Sequence, residues 1–205
     1  LGYLQTPAGG KDTLVFKSAL SDWNLDWVSP QSITFETKPS KEDPGYFFVF
    51  NTEKGSFKSL LGNIYGLTAK ASPDLQSLLY SESKNNTILT FYKNIKTEAN
   101  LQLRSTTFPE KCVWSTKNQS IVYCFVPNTI PQGNYPDDWY KGKVEFTDSL
   151  VKIDASTGAE NVLVNLNNES GSVIDAIKPS LNATNEYIYF INKRDGSFWS
   201  YDIRP

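Results

Sequence analysis

The strongest constraint on this chain is a phrase that recurs. Trp27-Val28-Ser29-Pro30-Gln31-Ser32-Ile33-Thr34-Phe35 aligns with Ala71-Ser72-Pro73-Asp74-Leu75-Gln76-Ser77-Leu78-Leu79-Tyr80 once one turn residue is allowed. It aligns again with Trp114-Ser115-Thr116-Lys117-Asn118-Gln119-Ser120-Ile121-Val122-Tyr123. Trp27 to Ala71 is 44 residues and Ala71 to Trp114 is 43. A period of about 40 to 45 residues is that of propeller blades, sheets that bury their faces only by stacking on copies of themselves. A fourth copy, Lys178-Pro179-Ser180-Leu181-Asn182 running into Tyr187-Ile188-Tyr189-Phe190, lies 64 residues beyond Trp114. The excess of about 20 residues over one period reads as an insertion, Pro127 to Phe146.

Each copy reads as strand, polar turn, β-branched or aromatic strand, loop, third strand, turn and fourth strand. The third strands are expected at Tyr46 to Phe50, Thr87 to Tyr92, Ser149 to Asp154 and Ser197 to Ile203. The fourth follow at Ser56 to Leu61, Ala99 to Leu103 and Ala159 to Leu166. Between them, Gly55 and Gly158 supply the positive φ that a hairpin turn requires. The expected fold is all-β: an arc of about four to five four-stranded antiparallel blades, a whole domain or part of a larger ring. Its boundaries fall at 1–20 for a blade remnant, then about 21–65, 66–104, 105–167 and 168–205. Leu1 to Leu20 fits the last two strands of a preceding blade, with Thr6 to Gly10 as their turn. Thr13 to Phe16 is then a candidate fourth strand for the blade that ends at Ile203. Pro73 to Leu79 carries a faint helical spacing, which its alignment with two strand-turn-strand units outweighs. A β-sandwich would show strands of similar length but has no reason to repeat one phrase.

The formal net charge is −2 with 20% charged residues of both signs, which offers no basic footprint for nucleic acid or an anionic membrane. The apolar run Tyr46 to Phe50, like every other in the sequence, falls far short of the roughly 20 residues that span a bilayer. A chain that starts at Leu1 and lacks methionine is expected to be part of a longer product or one matured by cleavage. The sequence has no histidine. Ser-His-Asp and Cys-His catalysis, and zinc sites built on imidazole, are therefore impossible within it.

The turn Ser72-Pro73-Asp74 followed by Leu78-Leu79-Tyr80 resembles the blade signature of WD40-like propellers of the TolB and PD40 type. Cys112-Val113-Trp114-Ser115 through Tyr123-Cys124, with Tyr135-Pro136-Asp137-Asp138-Trp139-Tyr140, is similar to segments of uncharacterised bacterial cell-surface propeller proteins. The resemblance spans nearly the whole chain and implies a propeller fold. Such propellers include binding scaffolds, periplasmic factors and the lid domains of peptidases, so it implies no single activity. One copy alone carries the full Ser-Pro-Asp, and none carries the Gly-His and Trp-Asp pair of eukaryotic WD40 repeats. Asp195-Gly196-Ser197-Phe198-Trp199 resembles a sialidase Asp-box without its spacing, so no glycosidase residue is carried over.

Cys112 and Cys124 are the only cysteines. A three-residue turn at Lys117-Asn118-Gln119 would set them opposite each other on one hairpin, at a Cβ separation close to what a disulfide needs. The alternative is two buried thiols acting as small hydrophobes. A bridge would imply an oxidising compartment and so an extracytoplasmic location, secreted, cell-surface or periplasmic.

The insertion carries the candidate binding residues Tyr135, Asp137, Asp138, Trp139 and Tyr140, since aromatics beside carboxylates suit sugar or peptide contact. The competing reading is a hydrophobic plug over a neighbouring blade, with the aspartates capping turns. Trp23 and Trp27 form a second aromatic group; alternation is expected to bury one between sheets and show the other at the disc face, and Trp23 joins the binding candidates. Asp22, Asp26, Glu145, Asp148 and Asp154 are further carboxylates near strand ends, and turn-bonding is the simpler role for them. Asn-x-Ser/Thr tripeptides at Asn85, Asn118, Asn168 and Asn182 arise readily in asparagine-rich turns.

No catalytic residue, metal ligand or cofactor is assigned. The expected function is a non-catalytic scaffold for a protein or carbohydrate partner, with self-association through open edge strands as a further possibility. The alternatives are the propeller part of a carbohydrate-active or peptidase-associated enzyme, and an assembly subunit of a surface structure. Three or more carboxylates with aromatics in one cleft would favour the enzyme.

Overall fold

The computed structural model describes residues 2–5, 8–19 and 22–204. It is a β-propeller of four antiparallel sheets, with a two-stranded hairpin stacked on the first. Blade I is β3 (Trp23–Ser29), β4 (Ser32–Thr37), β5 (Pro44–Asn51) and β6 (Ser56–Tyr65). Blade II is β7 (Thr68–Ala71), β8 (Ser77–Lys84), β9 (Thr87–Asn94) and β10 (Asn100–Gln102). Blade III is β11 (Cys112–Trp114), β12 (Ile121–Pro127), β13 (Asp148–Asp154) and β14 (Ala159–Asn165). Blade IV has three strands, β15 (Ala176–Leu181), β16 (Tyr187–Asn192) and β17 (Phe198–Asp202). Every sheet keeps its strands in chain order, the simple meander that the repeated phrase predicts.

The stacking follows from period-two alternation in strands whose two faces are both buried. In β8, Leu78 and Tyr80 pack toward blade I with Phe47, Leu61 and Leu67. Leu79, on the other face, packs with Cys112, Trp114, Val122 and Cys124 of blade III. One strand further on, Val122 and Cys124 face blade II, while Tyr123 and Phe125 meet Ile188 and Phe190 of blade IV. Each such fully buried side chain contributes about 1.5–3 kcal/mol, so the inter-blade layers are the core. The faint helical spacing after Pro73 is overridden, because Leu78 and Leu79 are each 0% exposed on opposite faces of β8.

The first turns of blades II and IV also repeat each other, in a form that depends on backbone geometry rather than residue identity. In blade II, Ser72 N–H donates to Ser77 O, Leu75 N–H to Ser72 O, and Leu75 has φ 55°. In blade IV, Asn182 N–H donates to Tyr187 O, Asn185 N–H to Asn182 O, and Asn185 has φ 53°. The copy in blade IV is therefore anchored at Leu181, which pairs with Ile188 as Ala71 pairs with Leu78. That is three residues beyond the Lys178 of the sequence alignment. The cause is a bulge between Ile177 and Ser180, where Lys178 takes φ 53° and lengthens the strand.

Two expectations at the ends are corrected. Thr13 to Phe16 forms β2 (Thr13–Phe16), which pairs with β1 (Gly2–Leu4) and leaves β17 without a fourth strand. Thr6 and Pro7 of the expected connecting turn lie outside the described residues, as do Leu1, Leu20, Ser21 and Pro205. Leu166, expected to end the last strand of blade III, instead opens the short helix Leu166–Ser170. Its Asn165 cap accepts from Asn168 N–H, and Gly171 closes it at φ 67°.

Cys112 and Cys124 are directly paired in the register and joined by a disulfide, with Cα atoms 4.0 Å apart. The turn between them runs from Ser115 to Ser120, six residues rather than three, and Ser115 N–H donating to Ile121 O closes it. Replacing both cysteines with alanine is expected to lower the unfolding free energy by about 2–3 kcal/mol, the chain-entropy value for so short a loop. Urea titration measures this, and an unchanged midpoint would mean that packing alone holds the hairpin.

Candidate functional site

The insertion folds as a strap across one end of the blades. Tyr135, Trp139 and Phe146 are 0%, 1% and 1% exposed and pack with Ile88 and Phe108. Trp139 Nε1–H donates to Asp175 Oδ2 at 2.8 Å, and Lys193 Nζ donates to Trp139 O at 2.9 Å. Asp137 accepts from Lys41 N–H of blade I, and Asp138 accepts from Asn134 N–H. Tyr135 and Trp139 are thus packed as a plug, and Asp137 and Asp138 are engaged in holding the strap. Tyr140, half-exposed, lines a cavity.

Beneath the strap lies a buried ionic cluster. Lys111 follows the linker residue Phe108, in a short 3-10 helix at Pro109–Lys111, and its ammonium is 0% exposed. It pairs with Asp148 at 2.8 Å and with Asp175, and its Nζ stands over the rings of Trp139 and Phe146. Asp148 also accepts from Ala176 N–H; burial pushes its carboxyl up to about 6, against the opposing pull of Lys111. The cluster is sealed, which makes it a fastening between insertion and blades rather than a surface for a ligand.

The first strands of the four blades converge, and residues of all four, Trp27, Ala71, Trp114 and Leu181 among them, line one cavity of about 290 Å³. A second cavity of about 280 Å³ lies beside it, lined by Asn24, Thr34, Glu36, Glu110 and Tyr140. Asp26 and Lys70 line both, which makes the two cavities lobes of one axial channel. Glu36 is buried; Oε1 accepts from Ala69 N–H at 2.6 Å and Oε2 from Asn24 Nδ2 at 3.2 Å. Burial, reinforced by the nearby Glu110, raises its carboxyl to about 8 despite those hydrogen bonds. Burial likewise raises Glu110, whose carboxylate accepts from Tyr140 OH, and lowers Lys70. The channel therefore gathers Glu36, largely protonated near neutral pH, with Asp26, Glu110, Lys70 and the Tyr140 phenol.

Sequence reasoning singled out Asp26 only as a strand-end carboxylate and missed Glu36, Lys70 and Glu110. Asp154 caps its own turn by accepting from Ser156. Two steps of alternation put Trp23 and Trp27 on one face of β3, where they border a groove with Leu25 beside the β1–β2 hairpin. Trp23 packs edge-on against Phe16, Phe35 and Phe48, while Trp27 is 59% exposed at the rim between groove and channel. Among the described residues no three His, Cys, Asp or Glu side chains are grouped to hold a metal ion, and no helix is long and apolar enough to cross a membrane.

No protein-family model matches the chain, and no curated protein does. Solved structures match in shape. An oligogalacturonate lyase in complex with manganese superposes with a TM-score of 0.61 at 11% identity, covering 96% of this chain and 51% of its own. The tricorn protease gives 0.56 at 10% identity, over 98% of this chain and 23% of its own. A TolB from Agrobacterium tumefaciens gives 0.54 at 9% identity, over 84% and 58%. The chain spans about half the length of the first of these. At such identities the likeness is one of fold, and it agrees with the TolB-type blade signature read from the sequence.

Proposed function

We propose that this propeller is a non-catalytic binding scaffold of the extracytoplasmic space, and that its partner is engaged at the axial channel. One observation carries the reading: Asp26 and Lys70, of opposite charge and within each other's field, line the same channel, yet among the described residues neither closes into an ion pair. Charged groups held by a rigid scaffold and left without partners are what a ligand would complete. The disulfide is compatible with an oxidising compartment.

The lining supports a second reading, a carbohydrate-active centre, because Asp26, Glu36 and Glu110 share one cavity with Tyr140. A protonated acid beside a carboxylate is the pairing glycoside cleavage uses. Arrays of peptides and glycans, probed with the wild type and with an Asp26→Asn/Lys70→Gln variant, test the first reading: binding should be lost in the variant. Binding that survives there would move the site elsewhere. Release of reducing ends from polysaccharides, abolished by Glu36→Gln, would favour the enzyme instead.

A further inference from the structure

We infer that the aromatic lobe of the axial channel holds one pyranose ring of a neutral glycan, stacked on Trp27 with its hydroxyls on Asp26 and Lys70; this rests on the binding reading above. Trp27 is 59% exposed on the open strand β3, and it stands at the mouth of a cavity of about 290 Å³, room for a single sugar ring. A large ring left open beside polar groups is the usual platform for the C–H face of a sugar. On the same cavity, Trp114 is 3% exposed and its Nε1–H has no hydrogen-bond partner. The Trp114 ring is packed between blades II and III and forms a fixed wall of the cavity.

Charge decides between ligand classes. A cationic ligand would meet Lys70, and an anionic one would meet Asp26 in this lobe and Glu110 in the next. A neutral polyol offends neither, because each hydroxyl donates to a carboxylate and accepts from an ammonium. The lining is mixed in the way such a ligand needs, with Pro73, Val113 and Pro179 as apolar walls around the two charges.

The test uses five methyl glycosides, of glucose, galactose, mannose, xylose and N-acetylglucosamine, titrated into the whole chain. Saturation-transfer NMR and tryptophan fluorescence provide the readouts. At least one should bind in the millimolar range, the affinity expected of so few atoms. Trp27→Ala and Asp26→Asn should each weaken that binding by about tenfold, as removal of a central aromatic or charged contact does. Both side chains are exposed, so the melting temperature should stay unchanged and separate lost binding from lost fold. The inference is overturned if none of the five binds, or if either variant binds as tightly as the wild type. Peptide binding that is lost in Asp26→Asn, with no glycoside bound, would keep the scaffold and remove the sugar. Absence of both would remove the two readings together.

Discussion

Replacing Lys111 with methionine is expected to lower the unfolding free energy by about 3–5 kcal/mol, the usual result of removing one partner from a buried ion pair. Methionine fills nearly the same volume, so the loss is one of charge. Asp148 and Asp175 are 0% and 1% exposed, and neither can turn to water once the ammonium is gone. Asp148 Oδ1 already lacks a hydrogen-bond partner. The second consequence is positional: Asp175 also accepts from Trp139 Nε1 and Phe146 N–H, so the strap loosens with it. Urea titration gives the loss, and adding Asp148→Asn and Asp175→Asn should restore most of it by taking the stranded charges away. Failure of that rescue would mean that the bonds the ammonium itself makes, and not the stranded carboxylate charges, hold the cluster.

Glu36→Gln is expected to do the reverse, stabilising the protein by about 3–5 kcal/mol above pH 8 and by almost nothing below pH 4.5. The carboxyl is raised from 4.5 to about 8. Between those values the folded state keeps a proton that the unfolded chain has lost. Unfolding therefore releases a proton, and the wild type loses stability as pH rises through this window. Glutamine stays neutral throughout and can still accept from Ala69 N–H. Groups common to both proteins, such as Asp148 with its carboxyl near 6, cancel in the difference. Denaturant unfolding at pH 4, 6 and 9 checks this, and a difference independent of pH would show that Glu36 is ionised in the fold.

The fold was legible because the second strands of the inner blades are buried on both faces, which leaves apolar runs such as Leu78-Leu79-Tyr80 at a fixed period. The anchor of the fourth copy was less so, since the bulge at Lys178 is a backbone event with no residue signature. The axial site was scattered: Glu36, Lys70 and Glu110 come from three segments that only the ring of first strands brings together. One sign was nevertheless available. Glu36 sits in β4, where Ser32 to Glu36 are all buried, and a carboxylate in such a strand needs a reason. The parity of Trp23 and Trp27 was equally readable, and it places them on one face. For the insertion, composition supported both plug and binding loop; Phe108, Ile88 and Asp175, distant in sequence, decide its packing.

Stacked sheets that touch only their neighbours behave as a linear array, in which the end units open first and independently. The strap changes that connectivity, because Lys41 of the first sheet, Asn86 of the second through Gly133, and Lys193 of the last are all bonded to it. Opening the terminal sheet must tear the same segment that clamps the initial one. Amide exchange in β16 should accordingly follow the global unfolding of the molecule rather than local fraying, although β17 is the edge strand of that sheet among the described residues.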